Sequence, residues 1–150
     1  MKKSTNTVWM ILWIAVVCAF HILLFRSKVN MSMAAPLRIL LMFCAIAVSL
    51  PLHETIHWVF MRIFGMKNAR IEFAIDPLGL PSMRTVANGQ MSLRKARVTL
   101  IAPFVLLTCI PDVLFIFMEE IPLFLFIAVL SNAAGCFFDI RAFFCEKENL

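Results

Sequence analysis

The segment from Ile39 to Phe60 reads ILLMFCAIAVSLPLHETIHWVF, an apolar run that ends in two histidines and a carboxylate. Ionisable residues are rare within membrane-spanning segments, where they usually mark functional sites. His53 and His57 are four residues apart, so an α-helix presents both imidazoles on one face, where they can bind one zinc ion. Glu54 is adjacent and can serve as a general base. The alternative is a helix end near the lipid headgroups, with both histidines as interfacial polar groups.

Three further apolar runs accompany this segment. With 62% hydrophobic and 15% charged residues in the 150-residue chain, the composition is that of an integral membrane protein. Each run approaches or exceeds the length of a spanning helix. We therefore predict an all-α, polytopic membrane protein with a single domain over 1–150. Its four transmembrane helices are expected at about 8–25, 39–64, 98–117 and 121–139.

Basic residues favour one side of this arrangement. Lys and Arg are concentrated in the amino-terminal tail, the long middle segment and the carboxyl tail, which places both termini in the cytoplasm. Arg26 and Lys28 follow the first run directly, without a small-residue cleavage site, so this run is predicted to be a retained helix. The net charge of +5 then reflects topology and anionic lipid headgroups, and no nucleic-acid partner is expected.

A third metal ligand is expected at the depth of the histidine pair. The second and fourth helices both run inward, so Asp139 at the end of the fourth reaches that depth, and His, His and carboxylate form an established zinc set. Glu72 and Asp76 in the middle segment remain alternatives. Asp139 could instead be an interfacial acid that pairs with Arg141 or Lys147.

Other carboxylates and His21 rank lower as ligands. Asp112, Glu119 and Glu120 are predicted near the outer face, far from the histidine pair. His21 has no partner at ligand spacing and is more typical of a polar residue facing the bundle or the interface.

Asn132 precedes Asp139 by seven residues, almost two helical turns, and so faces the same side. Its amide could position a substrate carbonyl or stabilise an oxyanion. Interhelical hydrogen bonding is the competing interpretation, since small residues surround it.

The middle segment contains a period-two pattern from Arg70 to Asp76, followed by Pro77, Gly79 and Pro81, and later by Asn88-Gly89. This pattern predicts a short cytoplasmic hairpin between helices 2 and 3. Its edge could bind an unwound substrate by strand addition. An amphipathic connector on the membrane surface is equally compatible.

The HETIH sequence in a membrane helix, with Asn132 and Asp139 in a later one, resembles the site-2 protease class of intramembrane zinc metalloproteases. Arg94 to Arg97, leading into Ala102-Pro103-Phe104, is similar to small bacterial membrane zincin peptidases of this type. The resemblance implies hydrolysis of peptide bonds in membrane protein or peptide substrates, with His53, His57 and Asp139 as Zn²⁺ ligands and Glu54 as catalytic base. It also implies a bacterial cytoplasmic membrane.

Two other functions use the same residues differently. A metal-carrying or metal-sensing membrane protein would need His53 and His57 but not Glu54. An inactive structural subunit would hold no metal at all. The sequence leaves the substrate and the oligomeric state open.

Overall fold

A computed structural model describes residues 2–75 and 81–145 of the chain. The described part is mainly helical. Its helices are α1 (Lys2–Phe25), α2 (Ala35–Ile63), α3 (Leu93–Phe104), a π-helical segment (Val105–Cys109), α4 (Ile110–Phe117), α5 (Leu123–Gly135) and α6 (Phe137–Cys145). Its strands are β1 (Val29–Asn30), β2 (Arg70–Ile75), β3 (Pro81–Val86) and β4 (Ile121–Pro122).

Four stretches of the described chain are long and apolar enough to cross a membrane, as predicted. They are Thr7–Phe25, Ala35–Ile63, Leu93–Phe117 and Leu123–Phe144. Large apolar side chains on their outer faces are exposed, such as Phe43 at 69% and Phe117 at 79%. Such surfaces suit a hydrocarbon environment, because exposed apolar patches of this extent are rare on soluble monomers.

Several helix boundaries differ from those expected, and the fourth stretch covers Leu123–Phe144 where 121–139 was predicted. The second and third stretches begin at Ala35 and Leu93, earlier than the predicted 39 and 98. The third stretch changes to π-helical hydrogen bonding between α3 and α4. The fourth is broken at Cys136, between α5 and α6, where the backbone ψ of Cys136 is 0°. Gly135 immediately precedes the break, and glycine weakens a helix interior.

The first and third connections meet at one end of the bundle. β1 pairs with β4 in parallel, with Val29 opposite Ile121. Lys28 Nζ donates to the carbonyl oxygens of Ile116 at 2.7 Å and Met118 at 3.2 Å. The positive charge of Lys28 therefore lies at the carboxyl end of α4, where free carbonyl groups favour a cation.

An apolar cluster fills this same end of the bundle. Phe25 and Phe115 pack edge to face with ring centroids 5.7 Å apart. Ile121 of β4 is fully buried beside them, and Leu123, Phe126 and Val129 of α5 complete the cluster. This cluster packs away from His53 and His57, which lie in the carboxyl-terminal half of α2.

The predicted hairpin between the second and third apolar helical stretches is present at the opposite end. β2 and β3 pair in antiparallel fashion, with Arg70 opposite Val86 and Ile75 opposite Pro81. The predicted turn residues Pro77 and Gly79, and Asp76, lie outside the described residues. Gly89 follows β3 with a φ of +127°, a conformation that glycine adopts readily.

Candidate metal centre

Three side-chain atoms from two helices converge at one point. The Nε2 atoms of His53 and His57, on the same face of α2, are 3.1 Å apart. Asp139 Oδ2 from α6 lies 2.9 Å from His53 Nε2 and 3.5 Å from His57 Nε2. The structure therefore brings together the two histidines and the carboxylate that the sequence favoured as a set.

Residues on both sides of the break at Cys136 contact His53. Asn132 is on α5, and Asp139 is in the first turn of α6. Asn132 Oδ1 contacts His53 Nδ1 at 2.9 Å, while Asp139 Oδ2 contacts Nε2 of the same ring at 2.9 Å. The two side chains thus hold opposite sides of one imidazole.

The second histidine is oriented by a backbone carbonyl. His57 Nδ1 donates to the carbonyl oxygen of Thr99 at 2.9 Å, in a buried contact between α2 and α3. This carbonyl is available because Pro103, four residues later, has no backbone N–H to donate to it. A proline within α3 therefore provides the partner that orients His57.

The amide of Asn132 has a fixed orientation. Its Nδ2 donates to the carbonyl oxygen of Pro103 at 3.2 Å and to Thr108 Oγ1 at 3.0 Å in the π-helical segment. Its Oδ1 consequently faces His53 Nδ1, which must donate the hydrogen bond. These contacts give Asn132 a part in orienting His53. The substrate-positioning role expected from the sequence stays a prediction.

When both imidazoles are neutral, each carries its ring proton on Nδ1 and turns the lone pair of Nε2 toward Asp139. The carboxylate oxygen is also an acceptor, so in that state the three converging atoms have no proton to share. A cation between them, either a proton on Nε2 or a metal ion, resolves this arrangement, because lone pairs held this close repel one another. Histidines oriented through Nδ1 by an oxygen are typical of metal-ligand residues.

The separations among the three atoms suit zinc. Zinc bonds to nitrogen and oxygen of about 2.0–2.2 Å in tetrahedral geometry place ligand atoms roughly 3.4 Å apart. The observed separations of 2.9, 3.1 and 3.5 Å are close to this value. Three protein ligands leave one position open, as in catalytic zinc sites.

Glu54 lies beside this group and is held by the hairpin. A carboxylate oxygen of Glu54 lies within 4.8 Å of one ring nitrogen of His53 and one of His57, and these two nitrogens lie within 4.8 Å of each other. Thr85 Oγ1 of β3 is 2.9 Å from Glu54 Oε2 and 2.8 Å from the carbonyl oxygen of Glu54. Glu54 therefore lies within the reach required of a general base, which acts directly or through one water.

Cys136 is also near His53, but on the other side of the ring. Its Sγ lies 3.9 Å from His53 Nδ1 and 3.6 Å from Asn132 Nδ2. The thiol sulfur of Cys136, one nitrogen of His53 and one carboxylate oxygen of Asp139 lie within 4.8 Å of one another. The thiol contacts the Nδ1 side of the His53 ring, whereas the converging atoms meet at Nε2. We therefore describe Cys136 as a neighbour of His53 and not as one of the three proposed metal ligands.

The other acidic residues considered in the sequence lie elsewhere. Glu72 forms ion pairs with Arg70 at 2.8 Å and Arg84 at 3.4 Å, and the hydrogen bond from Arg70 holds the pKa of Glu72 below its usual value. Glu120 accepts a hydrogen bond from Asn30 at 2.6 Å, at the far end of the bundle.

A second histidine and aspartate meet in the other half of the bundle. His21 Nε2 lies 3.3 Å from Asp112 Oδ2, and His21 Nδ1 donates to the carbonyl oxygen of Val17 at 2.9 Å. Sequence analysis did not identify a partner for His21, since α1 and α4 are far apart along the chain. This pair connects two helices and lacks a third ligand among the described residues.

Sequence reasoning did not identify Thr85 or Thr99. No motif signals Thr85, because its contact with Glu54 depends on how the hairpin folds back onto α2. Thr99 had a signal, since Pro103 predicts an unpaired carbonyl four residues earlier. Which side chain would use that carbonyl depends on the packing of α2 against α3.

Comparison with known proteins gives one family match. A family model described as "Putative zincin peptidase" matches residues 46–145, two thirds of the chain. No curated protein and no solved structure shows a significant match. The matched region begins in the middle of α2 and includes His53, Glu54, His57, Asn132 and Asp139.

Proposed function

Because this chain belongs to the zincin-type peptidase family, we propose that it is an intramembrane zinc metalloprotease of the site-2 protease-like class. A metallopeptidase activity and a zinc cofactor follow from the family itself. Cleavage within the membrane is our inference from four helices apolar enough to span it, two of which carry the metal group. The observation that carries the proposal is the convergence of His53 Nε2, His57 Nε2 and Asp139 Oδ2 beside Glu54.

His53, His57 and Asp139 would hold the ion. A zinc ion there supplies a Lewis acid that acidifies water and polarises a carbonyl. Asn132 and the Thr99 carbonyl keep the ring protons on Nδ1, so both Nε2 atoms stay available as ligands. The protein's own contribution is thus a pair of imidazoles held in the ligating tautomer before the ion binds.

Glu54 performs the proton transfers in this proposal. Its carboxylate takes a proton from the attacking water and later returns it to the leaving amine. The hydrogen bond from Thr85 keeps the Glu54 side chain near the histidines. A carboxylate one residue from the first ligand can serve both steps, because it stays next to the reacting atoms throughout.

The substrate in this proposal is a membrane protein or peptide that is locally unwound. Backbone groups within lipid are hydrogen-bonded inside a helix, so a helical peptide bond is not accessible to attack. The hairpin offers an extended backbone next to Glu54 through Thr85. Pairing of an unwound substrate with this hairpin would position its peptide bond near the metal group.

The location in this proposal is a bacterial cytoplasmic membrane with both termini in the cytoplasm. The metal group and the hairpin lie at the same end of the bundle, away from β1 and β4. The predicted topology puts this end at the cytoplasmic side, from which water would enter.

The test is a comparison of wild type with Glu54→Gln in the same detergent. Each purified protein is incubated with bacterial membrane proteins, and new amino termini are identified by mass spectrometry. Glu119→Gln is the matched control, since Glu119 is exposed and lies beyond α4 at the far end of the bundle. We expect new termini with wild type and Glu119→Gln but not with Glu54→Gln.

Cleavage by Glu54→Gln at the wild-type rate would contradict the mechanism. If the metal is retained and no variant, including wild type, produces new termini, the metal-carrying or metal-sensing function becomes the better account. The proposal therefore depends on Glu54 for turnover but not for metal binding.

A further inference from the structure

A cavity of about 360 Å³ opens beside the metal group, between α2, the hairpin and α3. Glu54, His57 and Asp139 form part of its wall, so the cavity is continuous with the site at which a substrate carbonyl would react. Its size is at the lower end of the range for small-molecule sites, which is about 300–1,000 Å³. It can therefore accommodate a side chain together with nearby backbone.

The remaining wall is largely apolar and comes from three parts of the chain. Met61 is on α2, while Met66 and Met91 lie in the segments on either side of the hairpin. Ala96 and Leu100 of α3 complete the wall. All five residues are half-buried. Three methionines make an adaptable surface, because their unbranched side chains adjust to irregular shapes.

We infer that this cavity binds an apolar side chain of the substrate residue next to the cleaved bond. The inference rests on the proposed function, since the cavity gains this meaning only if peptide hydrolysis takes place at the metal group. A side chain adjacent to the reacting carbonyl is the part of a substrate that reaches this wall. A membrane substrate supplies such side chains in abundance.

The cavity also disfavours acidic side chains. Glu54 and Asp139 form part of its wall, and their carboxylates would repel a negative group there. Arg84 at the wall is paired with Glu72 at 3.4 Å, so its charge is already partly compensated. We therefore expect discrimination against aspartate and broad acceptance of leucine, methionine and phenylalanine.

Gly89 keeps the wall open near Met66. A Cβ atom at position 89 would lie 3.4 Å from Met66 Cε, and the φ of +127° is one that other residues rarely adopt. The absence of a side chain here leaves Met66 free to adjust to the occupant.

The experiment uses purified, zinc-loaded protein and a series of peptide hydroxamates with glycine, leucine, phenylalanine or aspartate at the position next to the hydroxamate. The glycine compound reports on the metal group alone. Burial of a leucine or phenylalanine side chain strengthens binding by roughly 10- to 100-fold over glycine. The aspartate compound should gain nothing.

Ala96→Leu fills the cavity and should abolish the advantage of leucine over glycine. Ala47→Leu is the matched control, because Ala47 is exposed on α2 away from the cavity. Met61→Ala enlarges the cavity and should shift the preference from leucine toward phenylalanine. The zinc content per chain shows whether each variant is still folded around its metal.

Two results would overturn the inference in different ways. If the glycine compound binds but leucine and phenylalanine add no affinity, the cavity is not a side-chain site, while the metal centre stands. If the glycine compound does not bind wild type, the proposed metallopeptidase site is wrong and the cavity assignment that rests on it falls too.

Discussion

The hydroxyl of Thr85 on the hairpin lies 2.9 Å from the carboxylate of Glu54 on α2. The same oxygen is 2.8 Å from the carbonyl oxygen of Glu54, so a single strand residue contacts both the side chain and the backbone of the proposed base. The hairpin is therefore part of the proposed reaction site as well as a connection between two helices.

Replacing Thr85 with valine should lower the rate of peptide cleavage by about tenfold, because hydrogen bonds to charged groups contribute roughly 1.5–3 kcal/mol. Zinc content should not change, since Thr85 contacts none of the three proposed ligands. Thr85→Ser retains the hydroxyl and should recover most of the activity. Equal rates for Thr85→Val and wild type would show that the contact does not matter for turnover.

Replacing Asn132 with leucine should weaken zinc binding by about 10- to 100-fold, the usual effect of removing a group that orients a ligating histidine. The measurement is competition with a chromophoric chelator. Asn30→Leu is the control, since Asn30 bonds to Glu120 at the other end of the bundle. If both variants bind zinc as tightly as wild type, Asn132 does not orient a ligand.

Replacing Pro103 with alanine should also weaken zinc binding, by about tenfold. Alanine supplies a backbone N–H that can donate to the Thr99 carbonyl and so compete with His57 Nδ1. Pro111→Ala is the control, because it likewise adds an N–H within the third spanning helix but away from Thr99. An unchanged zinc affinity in a folded Pro103→Ala protein would show that the Thr99 carbonyl does not need Pro103 to stay available to His57.

Replacing Asp112 with alanine should destabilise the protein by about 1–3 kcal/mol, since it leaves His21 buried without its acidic partner. The measurement is thermal unfolding in detergent. Zinc binding should be unaffected, because His21 and Asp112 lie apart from the metal group. Glu119→Ala, at an exposed position, should unfold like wild type. A stable Asp112→Ala protein that has lost zinc would contradict the claim that the His21–Asp112 pair does not affect zinc binding.

Much of this arrangement could be predicted from local patterns. The four apolar runs predict the four helices that are long and apolar enough to span a membrane, and the spacing of His53 and His57 predicts that they share a face. The expected depth of Asp139 in the fourth helix predicted that it lies near His53 and His57, although that helix is not continuous. The hairpin followed from alternation of residues in β2 and from the prolines after it.

The remaining features depend on how the helices pack. The break at Cys136 interrupts an apolar run whose pattern continues through it, so periodicity alone does not reveal it. The contacts of Thr85 with Glu54, of Thr99 with His57 and of His21 with Asp112 each join residues at least 31 positions apart. Such contacts are set by tertiary structure, and no local motif encodes them.

The most direct test of the metal centre is the zinc content per chain of detergent-purified wild type, His53→Ala and Asp139→Ala. His21→Ala and Asp112→Ala serve as controls, because they alter the other His–Asp pair of the same membrane bundle. The proposed centre predicts about one zinc per chain in wild type and in both controls, and loss of zinc in His53→Ala and Asp139→Ala, as expected for three protein ligands. Wild type without zinc, or zinc retained in both ligand variants, would contradict it.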